Sequence, residues 1–245
     1  MPDITDLDGI LAGAAIDDEV FALCPDYRVV LLAVDGLSPG PGNQDTEALL
    51  LRAEAQARAA LAVGPVEEQP HIAAWRDAYR SFGAKPQRTR NSAEALLRRA
   101  ATGLPRVNRL TDLYNAVSVL YQIPLGGEDL SAYAGPPRLV RAAGDEKFDT
   151  TAGGDPVTEH PEPGEVIWRD DTGVTCRRWN WRQGLRTQLT DRTTQALFIF
   201  DALEPVAPET LSDSVVLMRE HLVTLGPDVR IAQRLIDQSP TVERA

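Results

Sequence analysis

Thr111, Asn115, Ser118 and Gln122 recur at i, i+4, i+7 and i+11, so a helix presents all four on one face. All four are polar and uncharged. The apolar face of that helix is Leu110, Leu113, Tyr114, Val117, Leu120 and Tyr121, at helical spacing. A water-facing stripe ordinarily carries Lys and Glu. Neutral donors and acceptors on an otherwise apolar helix suit a pocket wall, where they orient a small polar ligand at little cost in charge desolvation. The alternative is a packed helix whose polar groups bond to neighbouring loops.

No strong nucleophile accompanies the stripe. The chain has no GxSxG, and neither Cys24 nor Cys176 has an adjacent histidine, so a triad is unsupported. It lacks GxxxxGK[ST], which argues against an NTPase. His71, His160 and His221 are scattered and form no HxxxH or HExxH, so no metal site is expected, and no cofactor either.

Charge suggests a ligand class. The chain is acidic overall, with net charge −11, which by itself argues against nucleic acid. The basic residues, however, are concentrated. Between Arg76 and Arg109 lie Arg80, Lys85, Arg88, Arg90, Arg98, Arg99 and Arg106, opposed only by Asp77 and Glu94. Between Arg169 and Arg192, six arginines face three aspartates. Arginine replaces lysine almost throughout, but that does not explain why acids avoid these segments. Arginine favours forked contacts to phosphate, so a phosphate-bearing ligand is expected. Lys85, Arg88 and Arg90, after the turn at Gly83, could hold a phosphate near the start of the next helix, although a connector with surface cations reads the same way. In RRWNWRQ, a regular strand puts Trp179 and Trp181 on one face with Arg177 and Gln183. That face could stack a base or aromatic side chain, or bury one tryptophan in the core.

These residues need a scaffold. The 245 residues, 43% hydrophobic and 25% charged, suffice for one large domain or two small ones. No apolar run approaches the ~18 residues of a membrane span. The acidic start, MPDITDLDGI, lacks a secretion signal, and two distant cysteines fit a reducing compartment, so a cytoplasmic protein is expected. Tyr27 to Val34 reads as a buried strand, with Glu19 to Leu23 a shorter partner. Helices are predicted over Gln44–Val63 behind the cap Asn43, over Ile72–Ser81, over Ser92 to about Thr102 with capping-box spacing at Asn91 and Glu94, and over the neutral stripe, stopping before Pro124. Arg138–Ala143, Glu165–Arg169, Val174–Trp181 and Gln195–Asp201 read as strands, the last central because it is apolar on both faces. The stretch 144–164 is loop-rich and reads as a mobile hairpin or flap. Leu211–Leu225 is a last helix, with a short strand near Arg230 and a frayed end, QSPTVERA. The expected fold is α+β: a single domain over 1–245, core about 16–206 and helical extension 207–245, with antiparallel or mixed sheets and helices packed on one side.

The segments WRDAYRSFGAKPQRTRNSAEALLRR, LPRVNRLTDLYNAVSVLYQIPLGGEDL, LVRAAGDE and RRWNWRQ together resemble the B3/B4 domain of the bacterial phenylalanyl-tRNA synthetase β subunit, and most of all the free-standing proteins built from that domain alone. In the synthetase this domain is the editing site, which hydrolyses tRNA mischarged with tyrosine. The resemblance implies a deacylase acting in trans on the 3′ end of an aminoacyl-tRNA, in the service of translation fidelity. An aminoacyl ester needs a positioned water and donors near the developing oxyanion rather than a strong nucleophile. Asn115 would orient the ester or water. Thr111 and Ser118 would line the pocket, with Trp179, Trp181 and Gln183 closing it. Lys85, Arg88, Arg90, Arg98 and Arg99 would meet tRNA phosphates. Two departures stand out. Gly126 occupies the position of a family histidine, and Gln183 is the nearest match to a glutamate that recognises the tyrosine hydroxyl. The alternative is a non-catalytic module that binds tRNA or an amino-acid-like metabolite.

Overall fold

The computed structural model describes residues 6–238; residues 239–245, most of the tail read as frayed, lie outside the described residues. In chain order the elements are α1 (Leu7–Gly13), β1 (Ala15–Ile16), α2 (Asp18–Leu23), β2 (Arg28–Asp35), α3 (Gln44–Val63), α4 (Pro70–Ser81), α5 (Ser92–Ala100), α6 (Arg109–Tyr121), β3 (Leu125–Asp129), β4 (Arg138–Arg141), β5 (Phe148–Ala152), β6 (Asp155–Glu159), β7 (Val166–Arg169), β8 (Val174–Arg177), β9 (Arg182–Gln183), β10 (Ala196–Ala202), α7 (Pro208–Leu222) and β11 (Arg230–Asp237).

Two sheets organise these elements. One has the order β11-β2-β10-β3 and is wholly antiparallel; the other runs β1-β4-β7-β8-β9, with β1 and β4 its one parallel pair. Strand β10, ALFIFDA, is buried at every position because it is flanked by β2 and β3 and covered on both faces. Its alternate residues serve two cores. Phe198 and Phe200, with Leu32 and Val34 of β2, pack against α3, α6 and α7. Leu197 and Ile199, with Val29 and Leu31, pack against α1, α4 and the second sheet through Leu139, Val166 and Trp168. Each such side chain removed from water contributes about 1.5–3 kcal/mol before entropy is counted. The chain is thus α+β with mixed sheets, as its patterning predicts, with α3, α6 and α7 on one face of the four-stranded sheet.

Local departures from the sequence reading have plain causes. Asp18–Leu23 is a helix, not a strand: Asp18 and Glu19 favour its N-terminus, and Val20 and Phe21 are its buried side. Leu125–Asp129 is a strand despite its two glycines, because β10 supplies a ladder and leaves room for little more than backbone at Gly127, where an added Cβ would fall within 3 Å of Leu189, Phe198 and Tyr114. Strand β8 stops at Arg177. Arg178 (φ 48°) and Trp179 (φ 68°) then turn left-handed and reverse the chain into β9, so Trp179 and Trp181 do not share a strand face. The stretch 144–164 contains the β5–β6 hairpin. After α7 the chain returns as β11, paired with β2 over eight residues, so the C-terminal segment is part of the sheet as well as helical.

Candidate functional site

A cavity of ≈ 260 Å³ lies between the two sheets, beside the outer edge of β3. Helix α6 contributes Tyr114 and Asn115, and α5 contributes Ser92, Ala95 and Leu96. Gly126 and Glu128 come from β3, and Ile199 and Asp201 from β10. The opposite sheet and its turn supply Trp168, Cys176, Trp179, Asn180, Trp181 and Gln183. The volume falls just short of the ~300 Å³ at which sites for drug-sized ligands begin, so it suits a group the size of an amino acid rather than a nucleotide.

Local order at these positions follows from the sequence. Asn108 caps α6 by accepting the Thr111 N–H (2.9 Å), and Gln122 ends the helix in the left-handed region (φ 55°) ahead of Pro124. Asn115 therefore sits mid-helix on a rigid element. It is only 6% exposed, yet no described residue hydrogen-bonds its side-chain amide. A buried amide on a cavity wall without a protein partner is ready for water or ligand. Gly126 adds open space: a Cβ built there meets nothing within 4 Å. Gln183, on the cavity wall, donates to the Gly127 carbonyl (2.5 Å).

The structure places the other predicted residues elsewhere. Ser118 is not on the wall of this cavity; fully buried, it donates to the Ile123 carbonyl (2.7 Å) and finishes the last turn of α6. Thr111 lies a turn before Asn115, half-buried beside the Tyr114 hydroxyl and off the cavity wall. Trp179 reaches the cavity but is chiefly core, edge-on to Tyr27 (4.9 Å) and Trp75 (5.2 Å). Trp181 is half-buried, with the Arg178 guanidinium 4.5 Å from its ring centre.

Two carboxyls on the wall do not stand out in the sequence. Asp201 accepts from the Tyr27 hydroxyl (2.5 Å) and from Asn180 Nδ2 (3.1 Å). Glu128 accepts from the Tyr133 hydroxyl. Burial pushes both up to about 7, beyond what these hydrogen bonds can offset. A signal was present: an aspartate ending the otherwise apolar run ALFIFD, and a glutamate in the Gly-Gly-Glu-Asp strand, are charges placed where burial is expected.

The basic segments divide. Arg177 is forked onto Glu165 (2.8 and 2.9 Å) and also bonds Glu159, Arg178 bonds Glu165, and Arg186 is forked onto Asp170. The second segment is thus mostly internal bracing. In the first, Arg76, Arg90 and Arg98 converge on the buried Glu94, which turns inward instead of completing a capping box; Asn91 still caps α5. Lys85, Arg88 and Arg99 are exposed and have no carboxylate partner among the described residues. Arg99 lies one turn beyond the cavity-lining Ala95 on α5. Among the described residues no group of His, Cys, Asp and Glu could hold a metal, and no helix is long and apolar enough to cross a membrane.

Among solved structures, the chain is similar to an N-terminal fragment of the phenylalanyl-tRNA synthetase β-subunit from Pyrococcus horikoshii, with 13% identity and a TM-score of 0.45. The match covers 89% of this chain and 49% of the fragment, so the chain spans about half its length. No curated protein matches. The B3/4 domain model matches residues 74–218, from the middle of α4 into α7, and so takes in every wall of the cavity. On that match, which covers more than half of its length, the chain belongs to the B3/4 domain family.

Proposed function

We propose that this chain is a tRNA-binding deacylase that acts in trans, hydrolysing the ester of a mischarged aminoacyl-tRNA in the cavity beside β3. The observation that carries the reading is Asn115: a buried amide without a protein partner, on the wall of an amino-acid-sized cavity whose neighbouring helix α5 carries the unpaired Arg99. Asn115 orients the ester carbonyl or the attacking water. Developing negative charge on the ester oxygen is met by neutral donors, and the ester's own lability supplies the rest. Lys85, Arg88 and Arg99 face the phosphates of the acceptor end, with the ester presented to the pocket. A separate pocket of this kind serves where a synthetase cannot reject near-isosteres by binding alone.

A panel of mischarged tRNAs incubated with the purified protein tests this. At least one ester is cleaved faster than in buffer, and Asn115→Ala loses most of the gain. If no ester is cleaved above background, the enzyme reading fails. The second reading, a module that binds tRNA or an amino-acid metabolite without hydrolysis, is favoured by one observation: Gly126 leaves the wall of β3 bare where the resembling synthetase domain carries a histidine.

A further inference from the structure

The cavity wall is asymmetric in charge. Glu128 and Asp201 stand on it, and no Lys, Arg or His does. The two carboxyls differ in how they are held. Both oxygens of Asp201 are bonded, one by Tyr27 and one by Asn180. Glu128 is 2% exposed; its Oε2 accepts from Tyr133 and the Thr175 hydroxyl stands beside the carboxyl, but no cation among the described residues hydrogen-bonds it. The nearby Arg186 is forked onto Asp170 at 2.8 Å through both terminal nitrogens and does not pair with Glu128. Donors without acceptors stand on the same wall. The indole N–H of Trp168, 1% exposed, and the Ser92 hydroxyl have no partner within the protein. A ligand that satisfies this wall presents a donor, best a cationic one, to Glu128, and a carbonyl oxygen to the free N–H of Trp168 or the amide of Asn115.

An α-amino acyl group carries that pair of functions on adjacent carbons. We infer that Glu128 is a specificity-determining residue that receives the free α-ammonium of an aminoacyl group, so that the pocket takes aminoacyl esters and rejects N-acylated ones. This rests on the proposed function in placing the aminoacyl moiety in this cavity, but it concerns binding rather than hydrolysis. Burial outweighs the Tyr133 and Thr175 hydroxyls and the nearby Arg186 charge and holds the Glu128 carboxyl at about 7, and an ammonium arriving in contact lowers it. An N-acyl group removes the charge and two donor hydrogens, leaving the buried carboxylate without a counter-charge.

The test uses the full chain and stable probes: a panel of the twenty amino-acid amides and their N-acetyl counterparts, titrated by calorimetry and by tryptophan fluorescence. At least one free-amine amide binds, and N-acetylation weakens it 10-fold or more. Glu128→Gln weakens the free amine by a similar factor and leaves the N-acetyl compound unchanged. Tyr133→Phe, which keeps the carboxylate, retains the preference. Equal binding of free and acetylated probes overturns the inference, as does failure of the whole panel to bind. Glu128→Gln that slows ester cleavage with amide binding intact also overturns it, since Glu128 would then act in the chemistry. The comparison of probes on the parent protein needs no variant, so a Glu128→Gln chain that does not fold leaves the test standing. A preference for free amines without cleavage of any ester supports the inference while removing the deacylase reading.

Discussion

The Gln183 side chain donates to the Gly127 carbonyl at 2.5 Å, and this bond joins the short hairpin end of one sheet to the edge strand of the other. Gln183 also stands on the cavity wall. The neighbouring backbone continues the same seam, with the Asp129 N–H on the Thr187 carbonyl (2.7 Å) and a bridge between Glu128 and Gln188. An edge strand otherwise presents unpaired carbonyls to solvent.

Gln183→Leu keeps the volume and removes the donor, leaving the Gly127 carbonyl short of its partner. The expected loss of stability is about 1 kcal/mol, because a net hydrogen bond of this kind contributes ~0.5–1.5 kcal/mol and the rest of the seam persists. Hydrogen exchange over residues 125–129 rises more than the global loss explains, since the edge opens locally. Denaturant melts with site-resolved exchange measure both; unchanged protection of β3 would contradict the role of this bond.

Opposed titrations shape the pH dependence of stability. His71 is buried, with its Nδ1 on the Gln122 carbonyl (2.8 Å) and its Nε2 accepting from Trp75 and the Leu203 N–H (3.0 and 3.1 Å). Burial depresses it from 6.5 to about 4, so the fold favours the neutral ring. The unfolded chain takes up this proton first, and the contribution, present above pH 6.5, is lost as pH falls toward 4, by roughly 3 kcal/mol at most. Glu128 is raised from 4.5 to about 7, so its contribution is fully present below pH 4.5 and is lost as pH rises through 7. Glu128→Gln should therefore gain stability relative to the parent as pH rises from 4.5 to 7, and His71→Gln as pH falls from 6.5 to 4. Thermal melts of the three chains across that range measure the two differences, and parallel curves would refute both assignments.

Much of the scaffold is legible in the sequence because burial imposes a pattern. The apolar run of β2, the doubly apolar ALFIFDA of β10 and the Asn43 cap of α3 each follow from local rules, and Asn115 follows from a neutral stripe on an apolar helix. The same stripe misleads at Ser118, because a serine three residues from a helix end satisfies a carbonyl as well as it lines a pocket. Glu128 and Asp201 leave only a faint local signal, a carboxyl in a segment where burial is expected, and the opposite sheet that buries them makes them unusual. The two left-handed residues Arg178 and Trp179 likewise depend on a tertiary setting: Glu165 holds the arginine, and Tyr27 and Trp75 pack the tryptophan.

Glu94 anchors the first basic segment from within. Its Oε1 faces Arg76 at 2.8 Å and Arg98 at 3.0 Å, and the carboxylate is fully buried. Glu94→Ala leaves Arg76, itself mostly buried, without its counter-ion, and should cost about 3–5 kcal/mol, the range for breaking one side of a buried pair. By contrast Arg88→Ala and Arg99→Ala touch no partner among the described residues and should change stability by less than about 0.5 kcal/mol. Each of these two instead lowers the slope of log K against log [salt] for tRNA binding by about 0.7–0.9, the value of one phosphate contact. Slopes that match the parent would remove these arginines from the interface.

Gly126 is where the cavity can be rewritten. Its backbone is extended in β3, it pairs with Ile199 across the ladder, and the space beyond its Cβ position is empty. Any L-residue fits the backbone there, so substitutions act on the cavity rather than on the fold. Gly126→Phe projects a ring into the ≈ 260 Å³ space and should abolish binding of amino-acid amides while changing stability by less than about 1 kcal/mol. Gly126→His puts an imidazole on the wall that holds Asn115. General acid–base assistance contributes ~10²–10⁴-fold when a group is well placed, and an unoptimised placement should recover at least ~10-fold. Ester cleavage by Gly126→His should therefore exceed the parent's by that factor and rise with pH through about 6.5, the ordinary titration of histidine. Single-turnover cleavage of a mischarged tRNA between pH 5.5 and 8 reads both effects. A rate equal to the parent's, with amide binding retained, would mean that positioning by neutral groups already sets the rate in this pocket and that the bare glycine is not what limits it.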